Sequence, residues 1–246
     1  DDGSRYVYGP QGKEMNVAII PARGGSKRIF NKNIKLFAGK SLITYPIKAA
    51  IASGLFDRII VSTDSTEIAE IAQKEGAEIP FTRPPELADD FTPTIPVIKH
   101  AIRWLISNNC SVEYCCCIYA NPFVTCENLR DAFELLKEKQ ATSVIPVTTF
   151  PFPIFRSVKI NEKGAVEFIF PEKSLTRTQD LDEAFHDAGQ FYWWNCEMLM
   201  ATEQISQLQQ INRYPLVLPR HKVQDLDTPE DWIIAEKLYN SFMASS

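Results

Sequence analysis

The 246 residues contain no C-x-x-C pair, no apolar run long enough to cross a bilayer and no excess of positive charge. Each absence removes a class of function. The six cysteines, at 110, 115, 116, 117, 126 and 196, include three in succession within an apolar stretch. That placement predicts buried reduced thiols rather than disulfides or zinc ligands. His100, His186 and His221 share no metal-ligand spacing, so none is assigned to a metal. A membrane helix needs roughly 20 consecutive apolar residues, and the first residues lack the basic, apolar and small-residue order of a secretory leader. The expected location is cytoplasmic. A net charge of −5 argues against nucleic acid as a general partner, because a phosphate backbone requires a basic face. Internal repeats and low-complexity tracts are also missing.

What remains is ordinary globular composition, 45% hydrophobic and 23% charged, in a chain long enough for one sizeable core. Residues 1–14 show neither helical nor strand period and read as an added or disordered tail. Residues 15–246 read as one domain. An apolar strand at 16–21 is followed by a glycine-rich, charged loop and then a helix from Thr44, closed by Gly54. Strands at 58–63, 78–82, 114–119 and 142–147 alternate with amphipathic helices starting at Thr66, around Val97 and around Leu129. This alternation predicts an α/β fold with a doubly wound, mostly parallel sheet, whose ligands gather at the carboxyl ends of the strands. The rhythm breaks at Phe150. Residues 150–187 are rich in proline and aromatics, with short strands suggested at 156–160 and 166–170, and read as an inserted β-arm. Exposed phenylalanines there favour packing on a second subunit, folding back on the parent sheet being the alternative. Strands near 190–195 and 216–218 follow. A last helix is signalled by Thr228 as N-cap, Pro229, and Glu230 and Asp231 in its first turn.

Charge is unevenly distributed. Between residues 23 and 35 stand Arg23, Lys27, Arg28, Lys32 and Lys35 with no acid, leaving −10 on the rest of the chain. A local basic segment on an acidic protein suggests a small polyanion as ligand, against the plainer reading of a solvated loop. In Pro21-Ala22-Arg23-Gly24-Gly25-Ser26-Lys27-Arg28, glycines would let backbone amides face an oxyanion while the cations neutralise phosphate. This pattern is neither G-x-G-x-x-G nor a Walker loop. A tight strand-to-helix turn would also use Gly24 and Gly25. Far along the chain, Asp225 and Asp227 are one residue apart at the end of a probable strand, which would turn both carboxylates to one side. They could share a divalent cation with a triphosphate, as magnesium accepts one or two carboxylates and fills its octahedron with phosphate oxygens and water. Alternatively, they only lead into the capped helix.

The segment 21–28 followed by Lys32-Asn33 resembles the signature of the CMP-sugar-acid synthetases, a family of cytidylyltransferases. Ile60-Val61-Ser62-Thr63-Asp64, then Arg83-Pro84-Pro85-Glu86-Leu87-Ala88-Asp89-Asp90, and Gln224-Asp225-Leu226-Asp227-Thr228 follow in the family's order, so the resemblance spans roughly residues 15–240. It implies a Rossmann-like nucleotidyltransferase sheet with a dimerisation arm, a homodimer, and CTP with an acidic nine-carbon sugar as substrates. It further implies that Ala22, Arg23 and Asn33 contact the cytidine nucleotide within a loop that includes Gly24, Gly25 and Ser26. Lys27 and Lys32 would hold phosphates, and Arg83 and Thr94 match other nucleotide-contacting positions. Arg83 alone would read as one half of a surface ion pair. Arg23, Lys27, Asp225 and Asp227 are the expected catalytic set, with Asp225 and Asp227 as ligands for Mg2+ or another divalent cation such as Mn2+.

The implied reaction is attack of a 2-keto sugar acid's anomeric hydroxyl on the α-phosphorus of CTP. Within the family, Arg177-Thr178-Gln179-Asp180-Leu181 and the segment His186-Asp187-Ala188-Gly189-Gln190 resemble the pseudaminic acid branch. Arg177, Gln179, His186, Asp187 and Gln190 are therefore expected near the sugar, with sialic or legionaminic acid as alternative substrates. Phe191-Tyr192-Trp193-Trp194 reads as core strand. Two departures stand out: Phe30 where the family commonly has proline, and a shortened segment at 119–123. The competing classes are an Asp-x-Asp glycosyltransferase using a nucleotide-sugar donor, and a nucleotide-binding regulator without turnover.

Overall fold

The computed structural model describes residues 14–202 and 212–243; the expected tail at 1–14 lies outside them except for Glu14, which opens the first strand. That strand, β1 (Glu14–Pro21), is central because both of its faces are apolar. Met15, Val17 and Ile19 pack on one side of the sheet and Ala18 and Ile20 on the other, as the period of two requires. β1 pairs in parallel with β4 (Arg58–Ser62) and with β5 (Ser111–Ile118). Between them in sequence lie a two-residue hairpin of β2 (Leu36–Phe37) and β3 (Lys40–Ser41), and the helix α1 (Thr44–Ser53). Gly54 ends α1 in the left-handed conformation, φ 66°. α2 (Thr66–Lys74) is capped by Ser65 and α3 (Thr94–Ser107) follows a proline-rich loop. α4 (Cys126–Glu138), capped by Thr125, leads to β6 (Ser143–Thr149).

The sheet runs in the order β11-β6-β10-β5-β1-β4, where β10 is Phe191–Asn195 and β11 is Arg213–Val217. β10 is antiparallel to both β5 and β6, the exception on a sheet path that is otherwise parallel, in keeping with the expected mostly parallel order. A parallel partner needs a crossover of a dozen or more residues. Here the chain instead leaves β6, makes the arm, and turns straight back along β6 as β9 (Phe185–Asp187) before sliding in as β10. The arm, expected to run to 187, thus rejoins the main sheet at Phe185. The strand expected at 78–82 is reduced to one bridge, Ile60 to Glu78, because Pro80 has no N–H to donate. In the arm, β7 (Val158–Ile160) and β8 (Val166–Phe168) form a separate hairpin whose residues are all exposed. Of the cysteines, 115, 116, 117 and 196 are buried thiols, whereas 110 and 126 are partly exposed. Among the described residues no helix is long and apolar enough to cross a membrane.

Helices α1, α2 and α4 cover one face of the sheet, and α3 with the short helix α5 (Cys196–Ala201) the other. A third, smaller cluster matters most for function. Ile29, Phe37 and Leu42, from the segment after β1, pack with Leu226, Trp232 and Ala235, the last two on α6 (Pro229–Met243). α6 begins with reciprocal hydrogen bonds, Asp231 N–H to Thr228 Oγ1 at 3.1 Å and Thr228 N–H to Asp231 Oδ2 at 2.8 Å, a capping box with aspartate in the place of glutamate. Leu226 is 1% exposed and joins residues separated from it by almost the whole chain.

Truncating a buried leucine costs roughly 2–5 kcal/mol. Leu226→Ala is expected to lower the unfolding free energy in urea by about that amount; a loss below about 1 kcal/mol would show that this cluster does not bind the two chain segments together.

Candidate active site

Beyond the carboxyl end of β1 lies a cleft of about 600 Å³. Arg23, Ser26, Lys27, Arg28, Lys32 and Asn33 line it from the loop after β1, and Asp225, Leu226 and Asp227 line it from the other side. The two distant segments therefore meet, which places the cations and the aspartates where one ligand can touch both. The aspartates are not on a strand, contrary to expectation. β11 stops at Val217 and Pro219 precedes a 3-10 turn at Arg220–Lys222, so the chain reaches Asp225 as irregular backbone. Sidedness survives because Leu226 is anchored in the apolar cluster while Asp225 and Asp227 remain accessible.

The loop after β1 is held from beneath. The Ala22 N–H donates to the Ser62 carbonyl (2.9 Å) and one Asn33 side-chain N–H to the Arg23 carbonyl (2.9 Å). Asp64 Oδ1 accepts from the Gly24 N–H at 2.8 Å. Gly24 thus does not offer its amide to a phosphate, a correction to the expected backbone cradle. Its need for glycine is steric, since a Cβ there would lie 3.0 Å from Ser65 Cβ. Gly25 faces open space, and Ala22, Gly24 and Gly25 do not line the cleft. Positive charge at this site comes from side chains rather than from an array of amides.

Those side chains are balanced by acids. Asp227 pairs with Arg28 at 2.7 Å and with Lys32 at 3.8 Å. Asp90 pairs with Arg23, and with Lys27 at 2.6 Å; these contacts hold the Asp90 carboxyl below its ordinary range. Burial lowers the Lys32 pKa, opposed by the fields of Asp227 and Asp225. Arg83 is not one half of a surface ion pair. It is 4% exposed, donates from Nε to Ser62 Oγ at 3.1 Å and from a second nitrogen to the Ser62 carbonyl, and has no ion pair among the described residues. Burial brings its pKa down to about 10, against the opposing field of Asp64. A buried guanidinium without a carboxylate partner is costly, and Arg83 lines the cleft, where an anion would complete it. Five cations, Arg23, Lys27, Arg28, Lys32 and Arg83, face four carboxylates, of Asp89, Asp90, Asp225 and Asp227.

Thr94 opens α3 at the cleft wall, with its Oγ1 2.7 Å from the Tyr119 hydroxyl. The Tyr119 ring meets Tyr192 edge-on at 5.6 Å, and Tyr192 donates to Asp187 Oδ2 at 2.7 Å. Burial keeps both phenols protonated. The core-strand reading of residues 191–194 therefore holds for Phe191, Trp193 and Trp194, all buried, but not for Tyr192, which lines the cleft. Tyr119, Asn121, Tyr192 and Asp90 line the cleft without having been expected there; Tyr119 and Tyr192 lie in stretches that read as strand, Asn121 in the shortened segment at 119–123, and Asp90 in a motif whose acids have no assigned task.

A second cleft, about 440 Å³, shares Gly189 and Asp225 with the first and includes His186, Asp187 and Arg220. Gly189, φ 63°, sits where β9 gives way to β10. His186 packs against Phe150, ring centroids 4.9 Å apart. Gln190 is fully buried, donating to the Lys222 carbonyl at 2.7 Å, and lines neither cleft. Arg177, paired with Asp180 at 2.7 Å, and Gln179 are exposed and line neither cleft as well.

The sequence profile of the family described as cytidylyltransferase matches residues 17–222. The chain belongs to the cytidylyltransferase family. It is 41% identical over 226 residues to the pseudaminic acid cytidylyltransferase of Campylobacter jejuni, covering 91% of this chain and 96% of that protein. It is 34% identical over 230 residues to the CMP-N,N'-diacetyllegionaminic acid synthase of Legionella pneumophila, covering 90% and 95%. The fold is also that of a CMP:2-keto-3-deoxy-manno-octonic acid synthetase solved with CTP, with a TM-score of 0.67 at 16% identity over 92% of this chain and 99% of that one. Membership of the cytidylyltransferase family answers the glycosyltransferase alternative.

Because Asp90 occupies Arg23 and Lys27, a bound phosphate must displace or share those contacts. Asp90→Asn is expected to tighten CTP binding a few-fold in calorimetry, with the gain shrinking as ionic strength rises. Weaker binding would show instead that Asp90 helps to hold the nucleotide.

Proposed function

We propose that this cytidylyltransferase transfers CMP from CTP to the anomeric hydroxyl of pseudaminic acid, giving CMP-pseudaminate and pyrophosphate. The observation that carries the reading is the convergence of five cations and the Asp225–Asp227 pair on one cleft, in a chain 41% identical to a pseudaminic acid cytidylyltransferase. CTP occupies the larger cleft, with its triphosphate among Arg23, Lys27, Arg28 and Lys32 and its nucleoside toward Arg83, Asn33 and Thr94. The sugar enters the second cleft by His186 and Asp187. Gly189 and Asp225 border both, so the attacking hydroxyl meets the α-phosphorus at their shared rim. The hydroxyl oxygen bonds to phosphorus as the bond to the β-phosphate breaks; its proton passes to water, and pyrophosphate leaves with the electron pair. Arg23 and Lys27 stabilise the charge that grows on it. Tyr192, kept protonated, fixes Asp187 through its hydroxyl, Tyr119 braces Thr94 at the cleft wall, and alignment supplies much of the remaining acceleration.

The donor set suits a divalent cation of the Mg2+ or Mn2+ type. Asp225 and Asp227 present two neighbouring carboxylates to the cleft, and no cluster of three or more His, Cys, Asp or Glu side chains able to hold a metal exists among the described residues. That is too few donors for an all-protein cage, but fits an ion that completes its shell with phosphate and water. Asp225 and Asp227 would hold it. When bound, it would screen the triphosphate and polarise the α-phosphate. Arg28 and Lys32 pair with Asp227 and orient it.

The exposed hairpin of β7 and β8, with Ile160 75% and Val166 68% exposed, supports a homodimer in which this arm packs on a second copy. Synthesis in the cytoplasm, where CTP is made, fits such an enzyme.

With CTP, Mg2+ and each sugar acid supplied separately, pyrophosphate is expected with pseudaminic acid and at least tenfold more slowly with sialic or legionaminic acid; the reverse preference defeats the substrate assignment. Asp227→Ala should reduce kcat by roughly 10²–10³ with an unchanged circular dichroism spectrum, and near-normal turnover would remove it from the site. Ile160→Asp with Val166→Asp should convert a dimer to a monomer by light scattering, whereas a monomeric parent would refute the arm's role.

A further inference from the structure

We infer that Arg220 is the residue that binds the carboxylate of the sugar acid and so selects 2-keto acids over neutral sugars. The inference rests on the proposed reaction and deepens it. In a 2-keto sugar acid the carboxylate is attached to the same carbon that carries the attacking hydroxyl. Its binding group must therefore stand close to the rim where the two clefts join. Arg177, the cation that the sequence suggests for this task, is tied to Asp180 and lines neither cleft.

Arg220 meets the requirement. It lines the second cleft together with Asp187 and Asp225, and it is the one arginine or lysine there. It carries no ion pair among the described residues. Two carboxylates facing an anionic substrate would repel it without a neighbouring cation, and an arginine supplies two parallel donors matched to a carboxylate. Arg220 opens the 3-10 turn Arg220–Lys222, on a segment fastened at three points. Thr148 Oγ1 donates to the Leu218 carbonyl at 2.8 Å, Gln190 to the Lys222 carbonyl at 2.7 Å, and Asn121 to the Gln224 carbonyl at 3.0 Å. All three donors are buried. Gln190, expected at the sugar, acts on this reading through the backbone that carries Arg220. The turn is anchored while the guanidinium remains exposed, as a ligand-binding cation needs.

The test uses the full-length enzyme and whichever of pseudaminic, legionaminic or sialic acid it converts fastest. Arg220→Ala should raise KM for that acid roughly 10–100-fold, the scale of a lost hydrogen bond to a charged group, with KM for CTP within twofold and an unchanged melting temperature. Arg220→Lys should recover part of the loss, and Arg177→Ala should leave both KM values unchanged. A methyl glycoside of the acid, which cannot react, and its neutral carboxamide then serve as competitive inhibitors. The parent enzyme should favour the acid, and Arg220→Ala should abolish that preference. Equal weakening of acid and carboxamide, a silent Arg220→Ala, or a sugar-specific defect in Arg177→Ala would each overturn the assignment. A parent enzyme that converts none of the three acids would overturn the reaction itself, a result distinct from a silent variant of an active enzyme.

Discussion

The burial of Leu226 against Ile29, Phe37 and Trp232 is the contact on which the site depends. Electrostatic attraction alone could not assemble it. Arg28 and Asp227 are both substantially exposed, and exposed ion pairs contribute little because water screens them and two long side chains must be ordered. A buried leucine and a buried tryptophan lose several times that stabilisation when truncated. The apolar residue inside Asp225-Leu226-Asp227 thus docks the segment, and the flanking carboxylates follow into the cleft. Lys35 adds to the same junction by lying 4.3 Å over the Trp232 ring.

Docking brings like charges of the basic loop close together, and the protein meets that cost with its own acids. Asp90 and Asp227 each bridge two cations, standing where oxygen atoms of an anionic ligand would stand. These bridges hold the loop in shape while leaving its charged groups partly open to solvent. Arg83 differs. Its guanidinium is fixed by Ser62 in a buried place, so it offers a charge that needs little reorganisation to meet a ligand.

Several features were readable from the chain because they depend on local chemistry. The period of two in β1, the cap at Thr228, Gly54 after α1 and the crowding of cations between residues 23 and 35 each follow from neighbouring residues. The same reading failed where distant pairing decides. β10 has the composition of any core strand, and nothing in it declares that it runs antiparallel between β5 and β6. Tyr192 looks like its buried neighbours until the pleat turns it toward the cleft. Gln190 looks like a ligand contact until its amide is found on the Lys222 carbonyl.

Charge, patterning and motif order in the sequence determined the α/β class, the basic loop and the resemblance to the cytidylyltransferases, since composition and short-range period need no knowledge of neighbours in space. The tertiary structure alone decided which cations and carboxylates share a cleft, that Arg83 is buried and lacks an ion pair, and that Arg220 rather than Arg177 stands at the second cleft. Those outcomes depend on packing between segments up to two hundred residues apart, and such contacts are fixed only when the chain closes on itself.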